Sequence, residues 1–223
     1  MHKKLLLLPL LLFLFSLLPA QDIKYFFKIL PAYYTEDLNG PTKDSLLQKK
    51  NYYPASNDSE EVIVYKLEEL DLEKNFLRVE MSYESGQRAF IAFELRSFKA
   101  TSGNSIIVYS NTSGVPHDFS QNKLVVFSYN KAKRLTKIKS PGLITKVNVK
   151  YFFKSNTPDS IIKKYENYSG VLYELGYEGE NITLNFGESN GVEENDRKWL
   201  LGDAIEFVWK DDHFIRHKPI FKE

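Results

Sequence analysis

Short segments in which apolar and polar residues alternate are the feature that most restricts how this chain folds. In FLRVEMSY, the side chains of Leu77, Val79 and Met81 share one face, and those of Arg78 and Glu80 take the other. This period of two is typical of a β-strand with one buried and one wet face. Similar patterns predict strands in EVIVYKLEELDL, RAFIAFELRSF, SIIVYS, KLVVFSYN, KVNVKYFF, VLYELGY, NITLNFG and AIEFVWK.

The segment RAFIAFELRSF departs from simple alternation. One of its sides carries Ala89, Ile91, Phe93 and Leu95, whereas the other begins with Phe90 and Ala92 and turns polar at Glu94 and Arg96. A strand that is apolar on both sides is typically buried on both sides. We therefore expect one end of this strand, the end with Phe90 and Ala92, to be covered on both faces.

Helical patterns are few and short. TKDSLLQKK carries a capping-type Asp44–Ser45, and TPDSIIKKYENYSG has Pro158 and Asp159 at a plausible N-terminus. The opening DIKYFFKILP is ambiguous, because Pro31 interrupts an otherwise helical face. Turn-forming stretches such as ESGQ, TSGN and EGEN join the predicted strands, so the connections are local hairpins. The expected fold class is α+β, with a predominantly antiparallel β-sheet and few short helices.

The pentapeptide KYFFK occurs at Lys24–Lys28 and again at Lys150–Lys154. After each copy come, in the same order, a helical pattern that begins with Asp-Ser, two strand patterns, and a segment that runs from an arginine to a lysine. Each match by itself is weak in a chain rich in Lys, Tyr and Phe, but four in one order indicate a duplication. We therefore expect two related helix-plus-β-meander units, at 21–140 and 141–223, the second shorter and packed on the first.

The first residues have the layout of a secretory signal peptide. Lys3 and Lys4 precede the apolar run Leu5–Leu18, and small residues follow it up to Ala20. This layout predicts cleavage between Ala20 and Gln21 and hence a periplasmic or secreted protein, with an uncleaved anchor as the alternative. The apolar run is shorter than the roughly 20 residues that a membrane span requires. No later segment is long and apolar enough either, so we expect no membrane span after cleavage.

Composition and motifs argue against several classes of protein. The chain has no cysteine, so neither disulfides nor a cysteine-linked lipid anchor is expected. Loss of Lys3 and Lys4 would leave 28 of the 30 Lys and Arg residues against 29 Asp and Glu, and so neutral a chain is a poor nucleic-acid binder. No Gly-x-Ser-x-Gly elbow, phosphate-binding loop or dinucleotide loop occurs. We therefore expect no catalytic residue and no cofactor.

Two sets of residues could form a metal site or a carboxylate pair, but each set also has a simpler explanation. His213 and His217 are four positions apart, which suits a shared metal on a helix. Their surroundings predict a strand, where they would lie roughly 13 Å apart, so no metal site is predicted. Glu94 and Glu206 occupy matched positions in the two units and would form a carboxylate pair if the units met at a twofold axis. Positions on the solvent face of equivalent strands are the favoured explanation.

A long basic stretch is the strongest sign of a binding surface. No Asp or Glu occurs from Phe119 to Pro158, and this stretch contains the run KAKRLTKIK. A basic patch in an exported protein suits an anionic glycan, a lipid phosphate or an acidic partner. A solvated hairpin, or neutralisation by the acidic residues between Glu174 and Asp196, is the alternative. The candidate binding residues are Lys131, Lys133, Arg134, Lys137 and Lys139, with Trp199 as an exposed aromatic, whereas Trp209 is expected in the core.

The signal that ends in Ala-Gln-Asp, followed by a β-rich chain with many Lys, Asn, Tyr and Phe residues, resembles uncharacterised exported proteins of Bacteroidetes-type bacteria. The resemblance implies no catalytic residues. Such bacteria often attach O-glycans where Asp-Ser precedes an aliphatic residue, and Ser45 and Ser160 match, although both also suit helix starts. The Asn-x-Ser/Thr sequons are expected to be accidental, and they lie at Asn57, Asn111, Asn167 and Asn181.

Together these observations favour an exported, non-enzymatic protein that binds an unknown envelope protein or an anionic glycan. A carboxylate-dependent hydrolase acting on envelope glycans or peptides is the first alternative. A structural or assembly partner of another envelope protein is the second.

Overall fold

The computed structural model describes residues 22–52, 62–84, 90–115, 118–130, 132, 134–144, 146, 148–166, 171–176, 181–186 and 192–221. The predicted signal and its cleavage site at Ala20 and Gln21 lie outside these residues. So do two of the candidate binding residues, Lys131 and Lys133.

Among the described residues, seven strands form the first sheet, and each pairs antiparallel with the next strand along the chain. The sheet is therefore a simple meander, as expected when short turns join alternating segments. Its strands are β1 (Asn51–Tyr52), β2 (Ile63–Asp71), β3 (Phe76–Tyr83), β4 (Phe90–Lys99), β5 (Ser105–Val115), β6 (Asp118–Tyr129) and β7 (Leu135–Ile138).

Four later strands within the described part of the chain form a second antiparallel sheet in the order β11-β10-β9-β8. Its strands are β8 (Val171–Glu174), β9 (Asn181–Phe186), β10 (Ala204–Lys210) and β11 (His213–Ile220). A hairpin through Asp211 and Asp212, both in the left-handed backbone region, joins the last two strands. The predicted α+β class, with mostly antiparallel sheet and few short helices, is confirmed.

The helices of the described residues are short. They are α1 (Ile23–Ile29), α2 (Gly40–Lys49) and α3 (Asp159–Tyr165), with 3₁₀ turns at Ala32–Tyr34, Val149–Phe152 and Glu194–Trp199. The predicted start of α3 is confirmed, because Pro158 is its N-cap residue. The strand predicted in KVNVKYFF is wrong, because Val149–Phe152 forms a 3₁₀ turn. The Asn148 side chain caps that turn, and Val149 and Phe152 within the turn are buried. The two KYFFK copies thus lie in different local structures.

Helix α2 begins earlier than its sequence suggested. The Asn39 side chain accepts a hydrogen bond from the backbone N–H of Thr42 at 3.1 Å, which makes Asn39 the N-cap. Pro41 follows within the first turn, where its missing N–H has no cost. The predicted cap at Asp44–Ser45 is wrong, because both residues lie inside the helix.

The first sheet separates two hydrophobic cores. Helices α1 and α2 cover one of its faces and bury Leu77, Phe93 and Leu95 against Phe26 and Phe27. The opposite face packs on the second sheet, whose inner side carries Ile182, Leu184, Ile205, Phe207 and Trp209. The Trp209 indole N–H donates to the backbone carbonyl of Lys99 at 2.9 Å, which confirms the expected place of Trp209 in the core.

The burial of β4 differs from its predicted pattern. Its polar end is buried, since Glu94 is only 6% and Arg96 only 1% exposed. Burial on both faces thus includes the polar end of the strand, which the change from apolar to polar residues had not indicated. The second sheet covers this part of β4, and the two charged side chains bind the backbone of the strand hairpin above them. The alternation of residues along one strand cannot show that a second sheet packs over it.

The strands of the two sheets lie in separate parts of the chain. The described strands of the seven-stranded sheet lie within 21–140, and those of the four-stranded sheet lie within 141–223. A short helix precedes the meander β1–β4 in the first range, and another precedes β8–β10 in the second. That these ranges are two related units that arose by duplication stays a prediction.

Candidate binding surface

The described part of the basic run lies on the outer edge of the first sheet. Arg134 precedes β7, Lys137 lies within it and Lys139 follows it, and all three side chains are exposed. Strand β7 is the last strand of the sheet and pairs only with β6 among the described residues. The three cations therefore share one sheet edge.

The backbone of β7 has an inner and an outer set of hydrogen-bonding groups. The Asn130 N–H donates to the Arg134 carbonyl at 3.3 Å, and the Arg134 N–H donates to Asn130 Oδ1 at 3.2 Å. Backbone groups alternate in direction along an antiparallel strand, so Thr136 and Ile138 also bond to β6. The N–H and C=O groups of Leu135 and Lys137 consequently point away from the sheet.

The side chains of β7 alternate between the two cores. Leu135 packs against the core beneath α1 and α2, and Ile138 packs against the core between the sheets. Lys137 lies on the same face as Leu135, because residues two apart on a strand share a face. The edge thus carries apolar anchors on both faces and positive charge along its length.

The acidic residues that follow in the chain do not pair with this edge. Within the described residues, no carboxylate lies within 4.0 Å of the basic groups of Arg134, Lys137 or Lys139. The Lys164 ammonium instead lies 2.7 Å from a Glu193 carboxylate oxygen and 2.8 Å from one of Asp196. Its hydrogen bond holds the pKa of Asp196 below the ordinary range.

The later part of the basic stretch lies beside Trp199, on another part of the surface. Lys150 and Lys154 are exposed, and Lys154 Nζ donates to the backbone carbonyl of Lys198 at 2.6 Å. Lys154 N–H donates to the Trp199 carbonyl at 2.9 Å, so the two segments run side by side. Trp199 is half-buried and packs against the core between the sheets, with the Lys198 ammonium 5.6 Å from its ring centre. Trp199 is thus a less open platform than its sequence context suggested.

The edge of the second sheet near β7 is covered by the chain itself. After Lys139 the chain turns towards β11, where the Pro141 carbonyl accepts a hydrogen bond from the Phe214 N–H at 2.7 Å. Gly142 lies directly over this contact with a φ of 102°, a conformation that favours glycine. The neighbouring strand edges therefore differ, since β11 is capped at Phe214 and β7 is open in the described structure.

The carboxylates of Glu94 and Glu206 contact different partners and do not form a pair with each other. Arg78 lies 2.7 Å from a Glu94 oxygen, and the Leu175 N–H donates to the other Glu94 oxygen at 2.8 Å. Burial raises the pKa of Glu94, and the Arg78 guanidinium opposes that rise. Glu206 instead accepts from Asn181 Nδ2 at 2.6 Å and contacts His217 Nδ1 at 2.8 Å. The favoured explanation, a solvent-facing Glu94, is also wrong.

The histidine spacing has the geometry predicted for a strand. His213 and His217 both lie on β11, and both are exposed. The described residues contain no group of three His, Asp or Glu side chains able to hold a metal ion.

The glycosylation motifs fall in different surroundings. Asn57 and Asn167 lie outside the described residues. Asn111 is 4% exposed, and its amide donates to a Glu36 carboxylate oxygen at 3.2 Å, so this side chain is not accessible in the folded protein. Ser160 is exposed in the first turn of α3, whereas Ser45 lies in the middle of α2.

A second polar surface was missed in the sequence. Tyr33 is 64% exposed, and the Lys123 ammonium lies 4.0 Å from the centre of its ring. The adjoining Glu36 and Asp37 have positive φ angles of 48° and 63°, which is uncommon for residues other than glycine. The Tyr65 hydroxyl donates to the Glu36 carbonyl at 2.8 Å and so holds this turn. No motif in the sequence pointed to these contacts, because the residues that meet are far apart in the chain.

The helices of the described residues are all too short or too polar to cross a membrane. No protein-family model and no curated protein matches the chain. A solved structure with a similar fold is a domain of an uncharacterized protein from Porphyromonas gingivalis W83, with a TM-score of 0.57. The match covers 89% of this chain and 99% of that domain at 14% sequence identity. The chain thus shares its fold with a domain of an uncharacterized protein from a bacterium of the Bacteroidetes.

Proposed function

We propose that this chain is an exported, non-enzymatic protein that binds an anionic component of the cell envelope at the edge formed by Arg134, Lys137 and Lys139. The observation that carries the proposal is the exposure of these three cations without a carboxylate partner in the described structure. Charges left unpaired on one edge attract an anionic partner and steer its approach. The signal-like start of the chain supports export to the envelope.

The test compares three forms of the mature chain in a crosslinking pull-down from its native envelope. The first is the wild type, and the second changes Lys131, Lys133, Arg134, Lys137 and Lys139 to Gln. The third is a control with the same loss of charge on other parts of the surface, at Lys24, Lys49, Lys99, Lys163 and Lys210.

We expect the wild type and the control to capture the same partner and the edge variant to lose it. Capture should weaken as salt rises, because exposed charges are screened beyond about 10 Å at 0.1 M salt. Equal capture by all three forms would show that the basic edge is a solvated surface. A specific hydrolytic activity that depends on one carboxylate would instead support the enzyme alternative.

A further inference from the structure

We propose that the anionic partner is an extended acidic polypeptide segment that adds to β7 as an additional antiparallel or parallel strand. This inference rests on the proposed function and specifies its partner. Its basis is the combination of an open strand backbone with a row of unpaired cations on β7. Addition of a peptide strand to a sheet edge is a common mode of recognition, in which main-chain bonds give affinity and alternate side chains give specificity.

The open backbone of β7 supplies the main-chain part of the contact. The outward N–H and C=O groups of Leu135 and Lys137 offer up to four hydrogen bonds in the spacing of a strand. The hydroxyl groups of a glycan donate and accept hydrogen bonds, but they do not follow the regular spacing of a strand backbone. For that reason the geometry favours a polypeptide over an anionic glycan.

The side chains of β7 select which strand is accepted. Leu135 and Ile138 lie at the borders of the two cores, so the apolar face of an added strand extends one of these cores. Acidic residues on the other face of the added strand would lie beside Lys137 or Arg134, where opposite charges across neighbouring strands are stabilising. A second copy of β7 is disfavoured because it brings like charges together.

Each edge strand of the second sheet has outward backbone groups that are already bonded within the chain. The outward groups of Tyr173 and Leu175 beside β8 bond to Gln121 and Glu94. The outward N–H of Phe214 on β11 bonds to Pro141. In the described structure, β7 thus combines a free backbone with unpaired positive charge.

The first experiment uses a synthetic peptide of alternating Glu and Val as the probe, with binding followed by the amide NMR signals of the labelled protein. Two further peptides are N-methylated at every second residue, one at the Glu positions and one at the Val positions. An added strand directs one set of its N–H groups to β7 and the other to solvent. One methylated peptide should therefore lose binding, and the other should retain it.

The second experiment separates main chain from charge in the protein. Lys137→Gln and Lys137→Pro remove the same charge, but only Lys137→Pro also removes the outward N–H. The backbone N–H of Lys137 points away from β6, so Lys137→Pro should leave the hydrogen bonds between β6 and β7 intact. Thermal unfolding of both variants checks this. We expect Lys137→Pro to bind roughly two- to tenfold more weakly than Lys137→Gln, as the loss of one hydrogen bond requires.

Equal binding of both methylated peptides, together with equal binding of the two Lys137 variants, would overturn the strand addition. If binding still depended on Arg134, Lys137 and Lys139 in that case, the proposed anionic partner would stand and charge alone would hold it. If an acidic peptide failed to bind while the envelope partner was still captured through the basic edge, a glycan would be the partner and this inference would be wrong.

Discussion

The Glu94 carboxylate on β4 accepts a hydrogen bond from the backbone N–H of Leu175, at 2.8 Å, in the hairpin of the second sheet. Arg96, two residues along the same face, donates to the Leu175 carbonyl at 2.6 Å. Glu94 and Arg96 of the first sheet thereby bond both backbone groups of Leu175, the residue that follows β8 in the second sheet. Strand β8 is closed by side chains, whereas the described structure leaves the outer edge of β7 open.

The buried guanidinium of Arg96 is expected to be a main support of the contact between the sheets. Arg96→Met removes the donor to the carbonyls of Leu175 and Asn181 and leaves both without this partner. Each unsatisfied buried carbonyl costs about 1–3 kcal/mol, so the free energy of unfolding should fall by about 2–5 kcal/mol. Urea unfolding measures this loss. The exposed Arg134→Met is the control and should change stability by less than about 0.5 kcal/mol.

Gly142 is expected to resist substitution because of its backbone angle and its neighbour. A Cβ atom at this position would lie 2.1 Å from the Phe214 carbonyl oxygen, and φ is 102°. Gly142→Ala should therefore lower the free energy of unfolding by at least about 1–3 kcal/mol, the cost of the backbone strain alone. Gly40→Ala is a matched control, since a Cβ there meets nothing within 4 Å. Equal thermal stability of the two variants would contradict the described contact with β11.

Lys43 is expected to make stability depend on pH above neutrality. This lysine is 2% exposed, its ammonium donates to the Leu30 carbonyl at the end of α1, and burial lowers its pKa to about 8. An unfolded lysine keeps its proton up to about pH 10.4, so between these values the unfolded state binds more protons. The free energy of unfolding should therefore rise with pH from about 8 to about 10, by about 3 kcal/mol at most.

Lys43→Met tests this origin of the pH dependence. The variant should lack the rise between about pH 8 and pH 10, because it has no group that titrates there at this position. Chemical unfolding of both proteins across that range supplies the measurement. Parallel pH profiles of the two proteins would show that another group is responsible.

Asn39 is expected to determine where α2 begins. Asn39→Ala removes the side-chain acceptor for the Thr42 N–H and should cost about 0.5–2 kcal/mol. Ser45→Ala, at the cap position that the sequence suggested, should be neutral or slightly stabilising, because alanine is the better helix former inside a helix. A larger loss for Ser45→Ala in thermal unfolding would place the cap at Asp44–Ser45.

Some of the candidate site was visible in the sequence, but its setting was not. The absence of acids around KAKRLTKIK identified Arg134, Lys137 and Lys139 as candidates for a basic binding surface. Nothing in that run shows that LTKI is a strand, since its only apolar residues, Leu135 and Ile138, lie three apart and face different cores. The segment forms a strand because it pairs with β6. That this strand is at the edge of the sheet could be known only from the order of the strands.

The amino-acid sequence by itself determined the α+β class, most strands and their hairpin order, because alternation with period two and local turn residues are properties of neighbouring positions. Only the tertiary structure decided that Glu94 and Arg96 are buried, that KYFFK forms a helix once and a 3₁₀ turn once, and that β7 is an open edge. Each of these depends on what packs from a distant part of the chain, and a side chain's own neighbours in sequence do not specify that cover.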